Sequence, residues 1–214
     1  MLDGFTRRKE HSKEDIRKAA WELFRQFGVE KVSVADIARK AGVAQATIYN
    51  NFGSKEALAR EFVTAVVDQL VSRAQEVLSP DKLYWDKMAA FIQFISEMMA
   101  RGGPSEVDVT VLAASSDLRN DPEIKRIRDL AQDRMVNLLL GLVQEGKEQR
   151  QIGTGVSDEA YRIYFIAFMN VFTDPQLQDR FHRSPRLAQD LGALMMCGLG
   201  HPLANSVDCC GQLE

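Results

Sequence analysis

The sequence predicts an all-α protein in which an N-terminal head of three helices is joined by a long fourth helix to a larger helical body. Three observations predict this class. Apolar residues recur at helical spacing along most of the chain, glycine and proline stand mainly between those periodic segments, and residues 32–55 read as two short helices around a tight turn. We expect about nine helices, with the head at residues 1–55 and the body at residues 56–214.

The first helix is expected to begin after Ser12, because Asp15 is placed to complete a capping box with that serine. Its inward stripe runs from Ile16 to Phe27, and Gly28 is expected to end it. The residues before Ser12 then form a polar arm.

The second helix is expected to start at Ser33, with Asp36 three residues later as the other half of a capping box. Gly42 stands where the chain must turn, since a left-handed residue at a helix end is tolerated best by glycine. A third short helix is expected from about Gln45 to Asn51, with Ile48 pointing inward. This order, helix, tight turn, helix, is that of a helix-turn-helix.

The fourth helix is expected to run from Lys55, behind the cap residue Ser54, toward Leu78, which is long enough to leave the head and enter the body. Proline at the first helical position predicts two later helix starts, at Pro122 and Pro185. The body helices are expected at residues 84–101, 105–118, 122–149, 158–172 and 185–199.

The third helix is poor core material, because it exposes amides, a hydroxyl and a tyrosine, groups suited to base edges and phosphates. Gln45 and Asn50 are the candidates for base readout, since amides can pair bidentately with adenine. Tyr49 and Lys55 are expected to contact the DNA backbone. The predicted DNA-binding residues are Ser33, Gln45, Ala46, Thr47, Tyr49, Asn50, Asn51 and Lys55.

The run TIYNNFGSKEAL at residues 47–58 resembles the recognition-helix signature of the TetR family of bacterial transcriptional repressors. The chain departs from that signature by carrying Asn51 where histidine is common and Gly53 where a charged residue is frequent. The resemblance implies a homodimer that binds a palindromic double-stranded operator, is released by a small-molecule effector, and pairs its last two helices with those of a twin subunit.

The charge is divided along the chain. Residues 1–55 hold eleven Lys/Arg against seven Asp/Glu, a net charge of +4, whereas residues 56–214 hold sixteen against twenty-three, a net charge of −7. A basic head on an acidic body is typical of a small DNA-binding module fused to a domain with another task.

No set of residues indicates an enzyme: there is no Gly-x-Ser-x-Gly elbow, no glycine-rich phosphate loop and no His-Glu-x-x-His pair. The spacing of His201, Cys209 and Cys210 fits no standard metal site, so we predict no metal and no cofactor. An odd count of three cysteines indicates a reducing cytoplasm. We expect no signal peptide and no membrane association, because the start is polar and the most apolar stretch is too short to span a bilayer.

The fifth predicted helix carries more large apolar groups than one face can hold. Methionine and flat aromatic rings suit a pocket for a lipophilic or amphipathic ligand, and they equally suit plain core packing. Both interpretations stay open, and the family resemblance favours the pocket. The candidate ligand-binding residues are Trp85, Met88, Phe91, Phe94, Ile95, Met98 and Leu112.

The last two predicted helices, residues 158–172 and 185–199, are the candidate dimer interface. The first is apolar nearly all round, and the second carries Gly192, Ala193 and Gly198, which allow another backbone to approach closely. Complete burial within one subunit is the alternative. For the whole chain, the leading hypothesis is a ligand-released repressor, and the alternative is a small-molecule binding or sequestering protein with a non-functional head.

Overall fold

The structure, a computed structural model, describes residues 4–79, 81–100, 120–174, 177, 180, 181 and 183–198. These residues form eight α-helices and no strand, which confirms the predicted class. The predicted helix at 105–118 lies outside the described residues. The helices are α1 (Gly4–Phe27), α2 (Val34–Ala41), α3 (Gln45–Phe52), α4 (Lys55–Val77), α5 (Tyr84–Ala100), α6 (Pro122–Glu148), α7 (Asp158–Thr173) and α8 (Pro185–Gly198).

The start of α1 differs from the prediction, because the helix begins at Gly4 and Ser12 lies inside it. The expected polar arm is therefore helical from Gly4 onward, and the capping box of Ser12 and Asp15 does not form. Asp15 instead lies one turn after His11, with 3.7 Å between the His11 Nε2 and an Asp15 carboxylate oxygen. Such pairs at helical spacing favour continuation of the helix.

The two proline starts are confirmed, since α6 begins at Pro122 and α8 at Pro185. Asp121 caps α6 by accepting hydrogen bonds from the backbone N–H groups of Glu123 (2.9 Å) and Ile124 (3.1 Å). The same carboxylate accepts bonds from the Arg60 guanidinium, at 2.6 Å from Nη2. These bonds, the one from Arg60 above all, hold the pKa of Asp121 below its ordinary value.

The chain divides into two compact units. The first comprises Met1–Val67 and Thr110–Ile127, so it contains the predicted head together with the first half of α4 and the start of α6. Within it, α1, α2 and α3 pack on one another. Its core is built from fully buried apolar side chains, with the Phe24 and Phe62 rings 5.5 Å apart. Its largest members are Ile16, Phe24, Ile37, Ile48, Leu58, Phe62 and Ile124.

The second unit comprises Asp68–Val109 and Arg128–Glu214. Its core joins the later parts of α4 and α6 to α5, α7 and α8. At Gly146 the helix α6 has no room for a side chain, because a Cβ there would lie 2.6 Å from the Tyr84 ring. The core residues are Val71, Ala74, Tyr84, Met88, Phe91, Met135, Val136, Leu139, Leu142, Val143, Ile152, Tyr161, Phe165 and Met195.

Gly192 has a different role from the one the sequence suggested. It is buried against α5 of its own chain, and a Cβ built on it would lie 2.2 Å from Cγ2 of Ile92. The close approach that this glycine allows is therefore made within one subunit, so we correct the assignment of Gly192 to a subunit interface. Ala193 and Leu194, the next two residues, are exposed.

A buried ion pair joins α5 to α6. The Lys87 ammonium donates to both carboxylate oxygens of Glu145, each at 2.7 Å, and the Lys87 side chain is only 4% exposed. The Gln149 amide donates to the same carboxylate at 2.9 Å. The sequence contains a signal for this pair, since helical spacing places Lys87 on the inward face of α5 with Tyr84 and Met88, and a lysine there needs an acidic partner.

Candidate nucleic-acid interface

The turn between α2 and α3 has the geometry that its sequence predicts. Gly42 adopts a left-handed conformation, with φ of 68° and ψ of 30°, and its N–H donates to the Ala38 carbonyl. The Val43 N–H donates to the same carbonyl at 3.0 Å. Three residues thus separate the two helices, and the glycine conformation sets the angle at which α3 leaves the turn.

The predicted capping box at the start of α2 is confirmed. The Ser33 hydroxyl accepts from the Asp36 N–H at 3.1 Å, and the Ser33 N–H donates to the Asp36 carboxylate, also at 3.1 Å. The hydroxyl also donates to that carboxylate, and these bonds hold the pKa of Asp36 below its ordinary value. Ser33 is exposed, so the capped start of α2 lies at the protein surface.

The outer face of α3 carries four exposed residues at helical spacing: Gln45, Ala46, Tyr49 and Asn50. Tyr49 is 49% exposed, whereas Ile48 on the opposite face is completely buried. Residues four apart on a helix are neighbours on its surface, so these side chains form one contiguous polar patch. The cap residue Ala44 offers no side-chain acceptor to α3, and the Thr47 N–H donates to the Ala44 carbonyl at 2.9 Å, so the Gln45 and Ala46 N–H groups are left without a side-chain cap.

Two other predicted DNA-binding residues are placed less openly. Thr47 is half-buried, and the Asn51 side-chain amide donates to the Thr47 carbonyl at 2.9 Å. Asn51 is thus tied back onto its own helix, which engages one of its two N–H donors. The structure therefore separates the two adjacent asparagines, with Asn50 on the exposed patch and Asn51 bonded within α3.

Lys55 is also bonded within the protein. Its ammonium group donates to the backbone carbonyls of Val29 and Val32, each at 3.0 Å. These carbonyls belong to the connection between α1 and α2. The sequence held no signal for this contact, because carbonyl oxygens are present at every residue and only the fold decides which of them meet an ammonium group.

The candidate ligand-binding residues of α5 divide by burial. Met88 and Phe91 are 0% and 2% exposed and belong to the packed core of the second unit. Trp85, Phe94 and Ile95 are partly buried and pack against that core. The side chain of Met98 and all of Leu112 lie outside the described residues.

The described residues offer neither a metal site nor a membrane-spanning helix. They contain no group of three or more His, Cys, Asp or Glu residues placed to hold a metal ion. In the same part of the chain, no helix has the length and apolar character needed to cross a membrane. Cys209 and Cys210 lie beyond the described residues.

Comparisons with known proteins agree with this geometry. Residues 16–62 match the family model described as bacterial regulatory proteins of the tetR family. An uncharacterized HTH-type transcriptional regulator of Bacillus subtilis (strain 168), YvdT, is 40% identical over 76 residues, 34% of this chain and 37% of YvdT. The chain thus spans about a third of the length of that relative.

Two longer matches extend beyond the head. The HTH-type transcriptional repressor KstR2 of Mycolicibacterium smegmatis is 24% identical over 155 residues, 70% of this chain and 67% of the repressor. The crystal structure of the transcriptional regulator FadR from Bacillus subtilis in complex with stearoyl-CoA matches with a TM-score of 0.62 and 22% identity, covering 86% of this chain and 97% of FadR. At that identity the likeness shows the fold.

The family match therefore covers the residues that build the exposed α3 patch and the turn before it, and the structural likeness extends over most of the chain. Residues 16–62, the helix-turn-helix head of the chain, therefore belong to the tetR family of bacterial regulatory proteins.

Proposed function

We propose that the chain is a transcriptional repressor that binds a palindromic DNA operator as a homodimer and is released from it by a lipophilic or amphipathic effector. The observation that carries the proposal is the polar patch on α3, in which Gln45, Tyr49 and Asn50 are exposed above a buried Ile48. A short helix whose outer face carries amides and a phenol is suited to the major groove. A sequestering protein would have no need for this patch.

The roles of the patch residues follow from their chemistry. Gln45 and Asn50 read base edges, because a carboxamide both donates and accepts, as adenine does in the major groove. The methyl group of Ala46 lies beside them and can contact a thymine methyl. Tyr49 binds phosphate oxygens, and so do the first turn of α2, which Ser33 caps, and the first turn of α3, since helix N-termini favour anions.

Gln45→Ala and Asn50→Ala are each expected to cost about 1–3 kcal/mol at particular base pairs and to relax base preference there. Asn51→Ala is the matched control, because it removes the same amide from the same helix at a position already bonded to the Thr47 carbonyl. Binding is measured on duplexes enriched from a random pool by the wild-type protein. Equal losses at every base pair for Asn50→Ala would contradict base readout.

The dimer is proposed to form through α7 and α8. On these helices Ile163 is 60% and Leu194 is 66% exposed, and the neighbouring Ala167 and Ala193 are exposed as well. Exposed aliphatic side chains grouped with small residues are typical of a surface that another protein covers. A second copy of the chain covers this surface on both subunits. The resulting dimer presents two α3 patches to one operator.

The effector is proposed to bind in the second unit against the partly buried Trp85, Phe94 and Ile95. Met88 and Phe91 support them from the packed core. Because FadR, a protein of the same fold, was crystallised with stearoyl-CoA, acyl-CoA thioesters and fatty acids are the first probes to try. We propose the class of ligand only as lipophilic or amphipathic.

An effector found among these probes is expected to bind the operator complex about 5–150-fold more weakly than the free protein. This range corresponds to the usual allosteric coupling of about 1–3 kcal/mol, and linkage requires that operator and effector weaken each other by the same factor. The measurement is a calorimetric titration with and without the enriched duplex. Equal affinities in the two titrations would rule out induction by that ligand.

A further inference from the structure

Lys55 is hydrogen-bonded to the connection between α1 and α2. It is the first residue of α4, and its side chain is half-buried. Its ammonium group donates to the carbonyl oxygens of Val29 and Val32, which lie three residues apart in that connection. The side chains of both valines are buried in the first unit, at 4% and 2% exposure. The connection is thus held from its backbone and from its side chains.

The residue that follows Val32 is Ser33, the N-cap of α2. Fixing the Val32 carbonyl therefore also fixes the start of α2, where Ser33 and Asp36 form the capping box. In a helix-turn-helix, the first helix crosses the DNA backbone while the second enters the groove. The Lys55 ammonium consequently holds the start of the helix that has this position in a helix-turn-helix.

A direct contact between Lys55 and phosphate is the competing role, and it is the one the sequence predicts. An ammonium group has three donors, and two of them are engaged by the carbonyls. Hydrogen bonds from a charged donor are among the strongest in proteins. Moving the ammonium group out to a phosphate at the DNA would break both bonds, and only its third donor could meet a phosphate without that movement, so the geometry favours a lysine that stays where it is.

We propose that Lys55 is a positioning residue of the DNA-binding surface, which ties the Val29 and Val32 carbonyls and thereby orients the start of α2, capped by Ser33, toward the DNA backbone. This inference rests on the proposed DNA-binding function. It assigns the phosphate contact to the first turn of α2, which Ser33 caps, and it makes the contribution of Lys55 indirect.

The salt dependence of DNA affinity separates the two roles. Neutralising one phosphate of B-DNA contributes about 0.9 to the slope of log K against log salt concentration. Lys55→Met is expected to weaken binding to an enriched duplex by about tenfold or more while leaving this slope unchanged. A slope reduced by about 0.9 would show that Lys55 itself neutralises phosphate and would overturn the proposal.

A double-mutant cycle then tests whether Lys55 acts through Ser33. Ser33→Ala and Lys55→Met are expected to be non-additive in DNA affinity, so that the double variant binds about as weakly as the weaker of the single variants. Additive losses would also overturn the proposal. Lys55→Arg is expected to restore most of the affinity, because a guanidinium group can donate to two carbonyls at once.

Amide hydrogen exchange without DNA tests the tether on its own. Lys55→Met is expected to speed exchange at residues 33–36, and Lys31→Met, which removes an exposed lysine from the same connection, is expected to leave it unchanged. Unchanged exchange in Lys55→Met would mean that no tether exists. If the wild-type protein enriches no duplex at all, the proposed function fails and the positioning role fails with it, whatever the exchange result.

Discussion

Gly192→Arg is expected to lower the free energy of unfolding by about 3 kcal/mol or more, because the side chain has no space where α8 meets α5. Even a Cβ atom at Gly192 would lie 2.2 Å from Cγ2 of Ile92, and Ile92 is β-branched and turns away only at a cost. An arginine would in addition bring a charge into an apolar contact. Urea unfolding followed by circular dichroism measures the loss.

Leu194→Glu is the matched control, since it places a charge on the same helix two residues away, at a side chain that is 66% exposed. Its effect on the stability of the subunit itself is expected to stay within about 0.5 kcal/mol, as for most surface substitutions, so a larger loss in unfolding reflects the lost dimer. In a two-fold dimer the charge enters the interface twice, so sedimentation is expected to show a folded monomer with weakened operator binding.

The two variants therefore distinguish a packing defect from an assembly defect. A stable, folded Gly192→Arg monomer would mean that Gly192 faces a partner subunit, contrary to its contact with Ile92. An unchanged Leu194→Glu dimer would place the interface elsewhere than on α8. Gly192→Ala and Ile92→Ala are expected to be non-additive, with the double variant more stable than the sum of the two single losses predicts, because Ile92→Ala removes the clashing methyl group.

Glu145→Leu is expected to destabilise the second unit by about 3–5 kcal/mol, the usual cost of leaving a buried charge without its partner. The Lys87 side chain is 4% exposed and donates twice to Glu145, so its ammonium group has no access to water as a substitute. Lys87→Met is expected to cost less, about 1–3 kcal/mol. The reason is that the Glu145 side chain is 30% exposed and keeps its bond from Gln149.

The double variant Lys87→Met with Glu145→Leu is expected to be more stable than Glu145→Leu alone. Replacing a buried ion pair by apolar side chains of similar volume is often neutral, whereas removing one partner is not. A double-mutant cycle in urea gives the coupling between the two residues. Strictly additive losses would show that the pair contributes nothing as a pair.

The features that sequence predicted well are those set by local chemistry. The Ser33–Asp36 capping box, the left-handed Gly42 and the helix starts at Pro122 and Pro185 each depend on residues a few positions apart. The exposed patch on α3 was predictable for the same reason, because helical spacing alone puts Gln45 and Tyr49 on one face and Ile48 on another. The predicted start of α1 was wrong. The residues before Ser12 are themselves helical, so Ser12 lies inside the helix and does not cap it.

The tertiary structure alone decided which partners distant residues meet. Nothing near Lys55 in the sequence indicates that its ammonium group bonds the carbonyls of Val29 and Val32, and nothing near Gly192 indicates that it faces Ile92. A glycine in an apolar helix predicts that another segment approaches closely, but it does not identify that segment. A lysine predicts a positive charge, but it does not identify the groups that bind it. Sequence thus determined the helices, the turn and the polar face of α3. Packing between segments far apart in the chain determined what Lys55, Lys87 and Gly192 do, because contacts of that kind have no local pattern.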